Sequence, residues 1–323
     1  MSAQGILIAG GYGVVGRRIA AELAPDYADQ AIVAGRNLDR AKTTATAIGY
    51  GARGREVDVN VPSSIAAALN DVAVDAAARV SGARVVLGTG IVPGIANVMV
   101  RAVAETLGGA EEIETSLLLS ASDAAGPASF DYFLRELSMP FVVHVDGADC
   151  PARAFSDPRL IEFPPPVGAR PAYLFPFSDQ VLYPRTMGAR TALTRLAIEP
   201  AILAKLLTVV VRTRVASLIA REPVRQAVSK QRKDRAPSAD TLFALRVDVT
   251  NHGQSSDATL LGPAQAAAAA AGAAGVVRCL LDGEVVEPGA WMPEQVIDPG
   301  PFFSRLATRG LNVELAPVVL RSA

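Results

Sequence analysis

GILIAGGYGVVGRRIAAELA, residues 5–24, opens as a short apolar run, breaks on glycines and continues with helical periodicity. The run GILIAG (5–10) reads as a strand and VVGRRIAAELA as the helix after it. Between them Gly11, Gly13 and Gly16 form G-x-G-x-x-G, while Gly10, Gly13 and Gly16 recur every third residue. A tight strand-to-helix turn needs backbone angles that glycine adopts freely. A pyrophosphate on a helix N-terminus also needs the backbone within contact distance, which a side chain would prevent. Tyr12, Val14 and Val15 complete the loop and belong to the same candidate cofactor site. The bland alternative is a structural glycine turn; the position of the motif, after a strand and opening a helix, is the context that favours a phosphate.

Outward from this stretch the alternation continues. AIVAG (31–35) is a second strand and LDRAKTTATAIG (38–49) a second helix. REVDV (55–59) is a third strand, and Pro62 with the serines after it starts a helix SSIAAALN (63–70). Strand and helix in strict alternation imply a parallel, doubly wound sheet of Rossmann type. Where an NAD enzyme usually carries a carboxylate for the ribose hydroxyls, this chain has AGRN. Arg36 stands at that place, Asn37 follows, and Arg40 lies one turn into the helix. A guanidinium there can clamp a 2′-phosphate, which favours NADP(H); the alternative is a pair of solvated surface arginines. Asp58 either faces the adenine side or caps the next turn.

The alternation then breaks. In IAAALNDVAVDAAARVSGARVVLG (65–88) one helix, a second helix and a strand follow one another with almost nothing between them. A strand-plus-helix unit needs roughly 30 residues, and only VAV (72–74) is left to serve as a strand. The Rossmann domain is therefore predicted to be shortened near 70–75. One repair moves RVVLGTG (84–90) beside the first strand; the other leaves that strand's edge open. Either way the adenine half of a dinucleotide site should survive better than the nicotinamide half. PGIANVMVRAVAETLGG (93–109) then reads as a helix opened by Pro93 and closed by glycine.

From IETSLLLSAS (113–122) onward the texture is α+β. PFVVHVDG (140–147) is strand-like, FDYFLREL (130–137) helical, and EFPPPVGARPAYLFPF (162–177) rich in proline and aromatics. KQRKDRAPSAD (230–240) is polar and basic, most simply an exposed loop. TLFALRVDVTNHGQSSDATLLG (241–262) reads as two strands joined by an Asn-His-Gly turn. AQAAAAAAGAAGVVRCLLDG (264–283) is an alanine-rich helix whose small side chains permit close packing. GAWMPEQV (289–296) and a helix DPGPFFSRLATRG (298–310) follow.

Half of the 323 residues are hydrophobic and a fifth charged, ample for a buried core. A net charge of −1 offers no general attraction for phosphate backbones, so no nucleic-acid partner is expected. Cys150, Cys279, His144 and His252 match no metal spacing, so no metal site is expected, and two such distant cysteines fit a reduced cytoplasmic setting. AILAKLLTVVVRTRVASLIA (201–220) is interrupted by Lys205, Arg212 and Arg214, which reads as a helix on the protein's own core rather than a membrane span. The N-terminus lacks a basic region and a cleavage site and reads as strand, not signal peptide.

The residues GGYGVVGRRIAAEL, VAGRN with its trailing RAK, VDVN before a helix, GTGIVPGIANVMV (88–100) and GAWMPEQV together resemble the saccharopine dehydrogenase-like family of NADP-binding oxidoreductases. The resemblance implies a Rossmann domain (1–112), an α+β domain with a mixed sheet for substrate binding and dimerisation (113–262), and a C-terminal helix and tail returning to the first domain (263–323). It implies hydride transfer between NADP(H) and a small imine or amine, or an activated alkene, in a possible homodimer. Gly90, Pro93, Gly94 and Asn97 would line the cleft beside the cofactor. Two departures bear on this. Val92 stands where saccharopine-forming members carry an acidic residue, and the fourth-strand unit is missing. The rival reading is therefore a degenerate, non-catalytic NADP-binding or scaffold protein that has lost the nicotinamide half of its site.

No sequence motif supplies a catalyst, which suits hydride transfer, where the cofactor carries the hard chemistry. A proton donor is still expected. Asp123, Asp131, Tyr132, His144 and Tyr173 are available, and FSDQVLYPRT (177–186) gathers Asp179, Tyr183 and Arg185 in one polar turn. That cluster is either the catalytic group or a loop stabilised by its own hydrogen bonds. Phe163, Tyr173, Phe175 and Phe177 either wall a pocket or fill a sheet core.

Overall fold

A computed structural model describes residues 6–35, 37–56, 78–79, 82–122, 127–213, 222 and 241–320. Arg36, Asp58, Asp123, the stretch VAV (72–74), the helix SSIAAALN and the loop 230–240 lie outside the described residues. The chain divides into two compact units, Met1–Gly90 with Ala266–Ile297, and Ile91–Gln265 with Asp298–Ala323.

The first unit holds β1 (Ile6–Ala9), α1 (Gly16–Leu23), β2 (Ala31–Gly35), α2 (Leu38–Ile48) and β3 (Arg53–Glu56). The strands pair in parallel in the order β1-β2-β3, with Ile6 opposite Ala31 and Ile32 opposite Arg53. Parallel neighbours joined by helices are the Rossmann half that the alternation implies. Every residue of β2 is buried, because a central strand is covered on both faces. Ile8 and Val33 pack with Ala20 of α1 and Ala41 and Ala45 of α2; the alanines let both helices lie close to the sheet.

β4 (Arg84–Val86) does not move beside β1. It pairs in parallel with β13 (Gly289–Trp291) as a separate two-stranded sheet. Leu87 N donates to Trp291 O at 2.9 Å, Gly289 N to Ala83 O at 3.0 Å and Arg84 Nε to Val286 O at 3.1 Å. The Arg79 guanidinium lies 5.0 Å from the centroid of the Trp291 ring, a cation–π contact on the same pair. Among the described residues β1 has one neighbouring strand, β2. The alanine-rich helix and its successors belong to this unit as α7 (Gln265–Leu281) and α8 (Pro293–Val296), and Arg278 of α7 donates to Asp26 Oδ2 and to Glu22 O at 2.9 Å, just beyond and at the end of α1.

The second unit carries α3 (Ile95–Leu107), β5 (Glu112–Ser120), α4 (Pro127–Glu136), β6 (Pro140–Val145), β7 (Ala148–Arg153), β8 (Ser156–Phe163), β9 (Gly168–Leu174), α5 (Asp179–Thr186), β10 (Thr191–Glu199) and α6 (Ala201–Arg212). After them come β11 (Leu242–Asn251), β12 (Gln254–Pro263), α9 (Pro299–Ala307), β14 (Val313–Leu315) and β15 (Val319–Leu320). The sheet has ten strands and is mixed: β5 and β10 run parallel, while β11 and β12 are antiparallel. His252 and Gly253 turn the β11–β12 hairpin with φ of 46° and 75°, the positive angles that a two-residue turn requires. Helix α3 packs on β11 and β12, although the sequence places it within residues 1–112. Helix α6 buries Ala204 but exposes Ile202, Leu206 and Val209. No helix of the described residues is long and apolar enough to cross a membrane.

Candidate functional site

Between β1 and α1 the four glycines of the loop have distinct tasks. Gly10 takes φ 69°, a left-handed angle that costs a side-chain-bearing residue roughly 1–2 kcal/mol. A Cβ on Gly11 would lie 2.7 Å from Ile8 O and 2.9 Å from Val33 Cγ1, against the strands beneath. Its amide donates to Ala34 O at 2.8 Å, fastening the loop to β2. A Cβ on Gly16 would lie 2.3 Å from Gly10 O and 2.9 Å from Gly11 Cα, so α1 starts in contact with the loop backbone. Gly13 differs: its Cβ would meet only Gly10 O, at 3.0 Å, and the residue is exposed. Packing explains Gly11 and Gly16. At Gly13 the bare backbone faces outward before α1, whose first turn closes on the loop: Arg17 N donates to Gly13 O at 3.1 Å, and Arg18 N and Ile19 N to Val15 O at 3.0 Å. Val14 and Val15 are half-buried beside it. Bare backbone at a helix N-terminus is the kind of surface that a pyrophosphate needs.

The second part of the site is the end of β2. The Tyr12 ring leaves the glycine loop and lies on Gly35, where a Cβ would stand 2.3 Å from ring carbon Cε1. The Tyr12 hydroxyl accepts from Asn37 N at 3.1 Å. Asn37 caps α2, its Oδ1 accepting from Arg40 N at 2.9 Å. Arg40 then folds back, its guanidinium carbon 4.7 Å from the centroid of the Tyr12 ring. Among the described residues no carboxylate pairs with Arg40, and the residue is exposed. The sequence names Tyr12, Asn37 and Arg40 individually. It misses the part played by Gly35, whose signal was a glycine at a strand end facing an aromatic in the loop.

The remaining candidates lie elsewhere. In the second unit Asn97 is fully buried, and its Oδ1 accepts from Gly94 N at 2.8 Å to close the first turn of α3; Gly94 itself takes φ 137°. Pro93 directly precedes that cap, and Gly90 is half-buried at the end of the first unit. FSDQVLYPRT is not a polar turn but contains helix α5. Asp179 and Tyr183 are fully buried on it, and Asp179 Oδ2 accepts from Thr194 Oγ1 of β10 at 2.9 Å. Arg185, on the same helix, is exposed, so the three side chains do not share one surface. His144 Nδ1 lies 2.8 Å from Asp149 Oδ1 across the β6–β7 hairpin. Asp131 is half-buried on α4. The Tyr132 hydroxyl donates to Pro176 O, and burial is the main cause that raises its pKa to about 12. Phe163, Tyr173 and Phe175 are core residues; Phe175 stacks on Phe133 at 5.5 Å and meets Phe177 at 5.3 Å. Among the described residues no group of three or more His, Cys, Asp or Glu is placed to hold a metal.

No family model and no curated protein matches the chain. Among solved structures it resembles apo histidine-tagged saccharopine dehydrogenase (L-Glu forming) from Saccharomyces cerevisiae. The likeness covers 98% of this chain and 100% of that one, at 14% identity and a TM-score of 0.63. A short chain dehydrogenase/reductase family protein aligns over 29% of this chain and 37% of its own, at 31% identity and a TM-score of 0.19. The first likeness, spanning nearly the whole of both chains, shows a saccharopine dehydrogenase-like fold: a Rossmann-type unit and a second unit on a mixed sheet.

Proposed function

We propose that the chain is an NADP(H)-dependent oxidoreductase, moving hydride between the nicotinamide cofactor and a small imine or amine, or an activated alkene. The observation that carries this reading is the glycine cradle with a cationic end of β2: bare backbone at Gly13 beside the first turn of α1, and Arg40 with no described carboxylate partner. Likeness in fold to a saccharopine dehydrogenase supports the reaction class. In this reading the backbone of residues 10–16 (Gly10, Gly11, Tyr12, Gly13, Val14, Val15 and Gly16) holds the pyrophosphate, and the Tyr12 side chain takes no part in that. Arg36, Asn37 and Arg40 hold the 2′-phosphate, Asp58 serves the adenine side, and Gly90, Pro93, Gly94 and Asn97 belong to the substrate cleft. The bound cofactor would supply the hydride, while the chain orients it and keeps positive charge at the 2′ position. A cytoplasmic homodimer is part of the same reading.

Titration of the full chain with NADPH and NADH, followed by cofactor fluorescence, tests the binding claim; NADPH should bind the more tightly. Consumption of NADPH with a panel of cyclic imines and enones tests the chemistry. Binding of neither cofactor would overturn the reading. A second reading, a cofactor-binding protein without turnover, comes from the shortened Rossmann half in the sequence and is not favoured by the likeness in fold. NADPH binding with no substrate of the panel reduced would shift the balance toward it.

A further inference from the structure

We infer that Tyr12 is the positioning residue for NADP selectivity, acting through Arg40; this rests on the proposal that the cradle takes a nicotinamide dinucleotide. A long arginine on an exposed helix turn samples many rotamers, and ordering it on a ligand costs entropy. Here the cost is reduced beforehand. The Tyr12 ring offers a flat face under the Arg40 guanidinium, 4.7 Å from centroid to carbon. A planar cation stacks on such a face while its N–H groups stay free at the rim to donate. The ring is itself fixed. Its hydroxyl accepts from Asn37 N at 3.1 Å, and its edge occupies the space where Gly35 lacks a side chain. Asn37 in turn caps the helix that carries Arg40. Tyr12, Gly35 and Asn37 thus hold the Arg40 cation at the strand end where a ribose is read. The ligand group recognised is a phosphate monoester on that ribose.

Gly35 makes the inference separable from simple contact. A Cβ there would collide with the far end of the Tyr12 side chain, at 2.3 Å from Cε1 and 2.6 Å from Cζ. Gly35→Ala should therefore displace the ring without removing any ligand-binding group. The test is calorimetric titration of the full chain with NADPH and with NADH, for wild type, Arg40→Ala, Tyr12→Ala, Tyr12→Phe, Gly35→Ala and the Tyr12→Ala/Arg40→Ala double variant. Arg40→Ala should weaken NADPH by about tenfold, as expected for a lost charge-assisted contact, and NADH by less than about twofold. Tyr12→Ala and Gly35→Ala should lower NADPH affinity in the same selective way. The double variant should be no worse than Arg40→Ala, because Tyr12 acts through Arg40. Tyr12→Phe, which keeps the ring, should retain most of the selectivity.

Equal losses for both cofactors, or additive losses in the double variant, overturn the inference. A wild type selective for NADPH with Tyr12 and Gly35 variants unchanged overturns it too, and leaves the NADP reading standing. A wild type that prefers NADH, or binds neither, overturns the NADP reading and this inference with it. Arg40→Lys decides the point if the Tyr12→Ala or Gly35→Ala chain does not fold: a lysine keeps the charge but not the flat stack, and full NADPH affinity in that variant overturns the inference.

Discussion

Arg195 on β10 donates from Nη2 to Asp157 Oδ2 on β8 at 2.7 Å, with 2% of its side chain exposed. Its Nε donates to Glu114 on β5, which also receives Arg159 from β8. The charges fasten the β8–β9 hairpin over the sheet face where Leu118, Ile161, Phe163, Ala197 and Ala244 form an apolar core. Arg195→Met should be destabilising, since it strands Glu114 at 14% exposure with only a half-solvated arginine for company. A loss of about 2–4 kcal/mol in urea denaturation is expected, below the top of the range for broken buried pairs because Arg159 stays. A variant as stable as wild type would show that apolar packing alone holds the hairpin.

Gly16→Ala and Gly13→Ala should fail in different ways. At Gly16 the new methyl meets the Gly10 backbone at 2.3 Å, and only movement of α1 or the loop relieves it. A stability loss on the order of 2 kcal/mol is expected, as for overpacking elsewhere, together with loss of cofactor binding. At Gly13 the methyl meets a single oxygen at 3.0 Å and points from an exposed position. Thermal melting should be little changed while cofactor affinity falls. If Gly13→Ala binds NADPH like wild type, the cradle is a structural turn.

The glycine loop, β2, α2 and the β11–β12 hairpin were legible because their chemistry is local. Asn251-His252-Gly253 specifies a turn without reference to the rest of the chain. The partner of RVVLGTG was not legible. Arg84–Val86 pairs with Gly289–Trp291, and nothing near either segment announces so distant a pairing. Asp179 misled for a related reason. Its pattern with Tyr183 and Arg185 suggests a polar turn, yet Thr194 on β10 supplies a partner that makes burial tolerable. Within the site, Tyr12 and Arg40 could be picked out singly. Their stack over Gly35 depends on how the loop and β2 lie together in three dimensions.

Asp257 on β12 carries a pKa raised above the ordinary carboxylate value, by burial first and by Asp248 as a lesser cause, against the pull of Arg246 3.0 Å away. A folded-state pKa above the unfolded one contributes stability that is complete below the unfolded pKa and is lost as pH rises through the folded pKa. The stability of wild type relative to Asp257→Asn should therefore be greatest below the ordinary carboxylate pKa and shrink as the pH rises above it. Urea denaturation at several pH values checks this. A difference that grows with pH would mean that the Arg246 ion pair outweighs burial.

Tyr132 extends the same reasoning to alkaline pH. Its hydroxyl donates to Pro176 O, tying α4 to the segment before α5, and burial with Glu136 nearby raises its pKa from 10.0 to about 12. A phenolate cannot donate to a carbonyl, so ionisation removes the tie as well as burying a charge. The stabilising contribution is present below pH 10 and is lost as pH climbs through the folded value near 12. Tyr132→Phe keeps the ring and deletes both the donor and the titration. It should melt lower than wild type at neutral pH, and the gap should close as the pH is raised from about 10 toward 12. Absorbance titration should show one tyrosinate fewer forming at the high end of the range in the variant. A gap that stays constant across that range would mean that the hydroxyl ionises in the folded protein as it does in the unfolded chain.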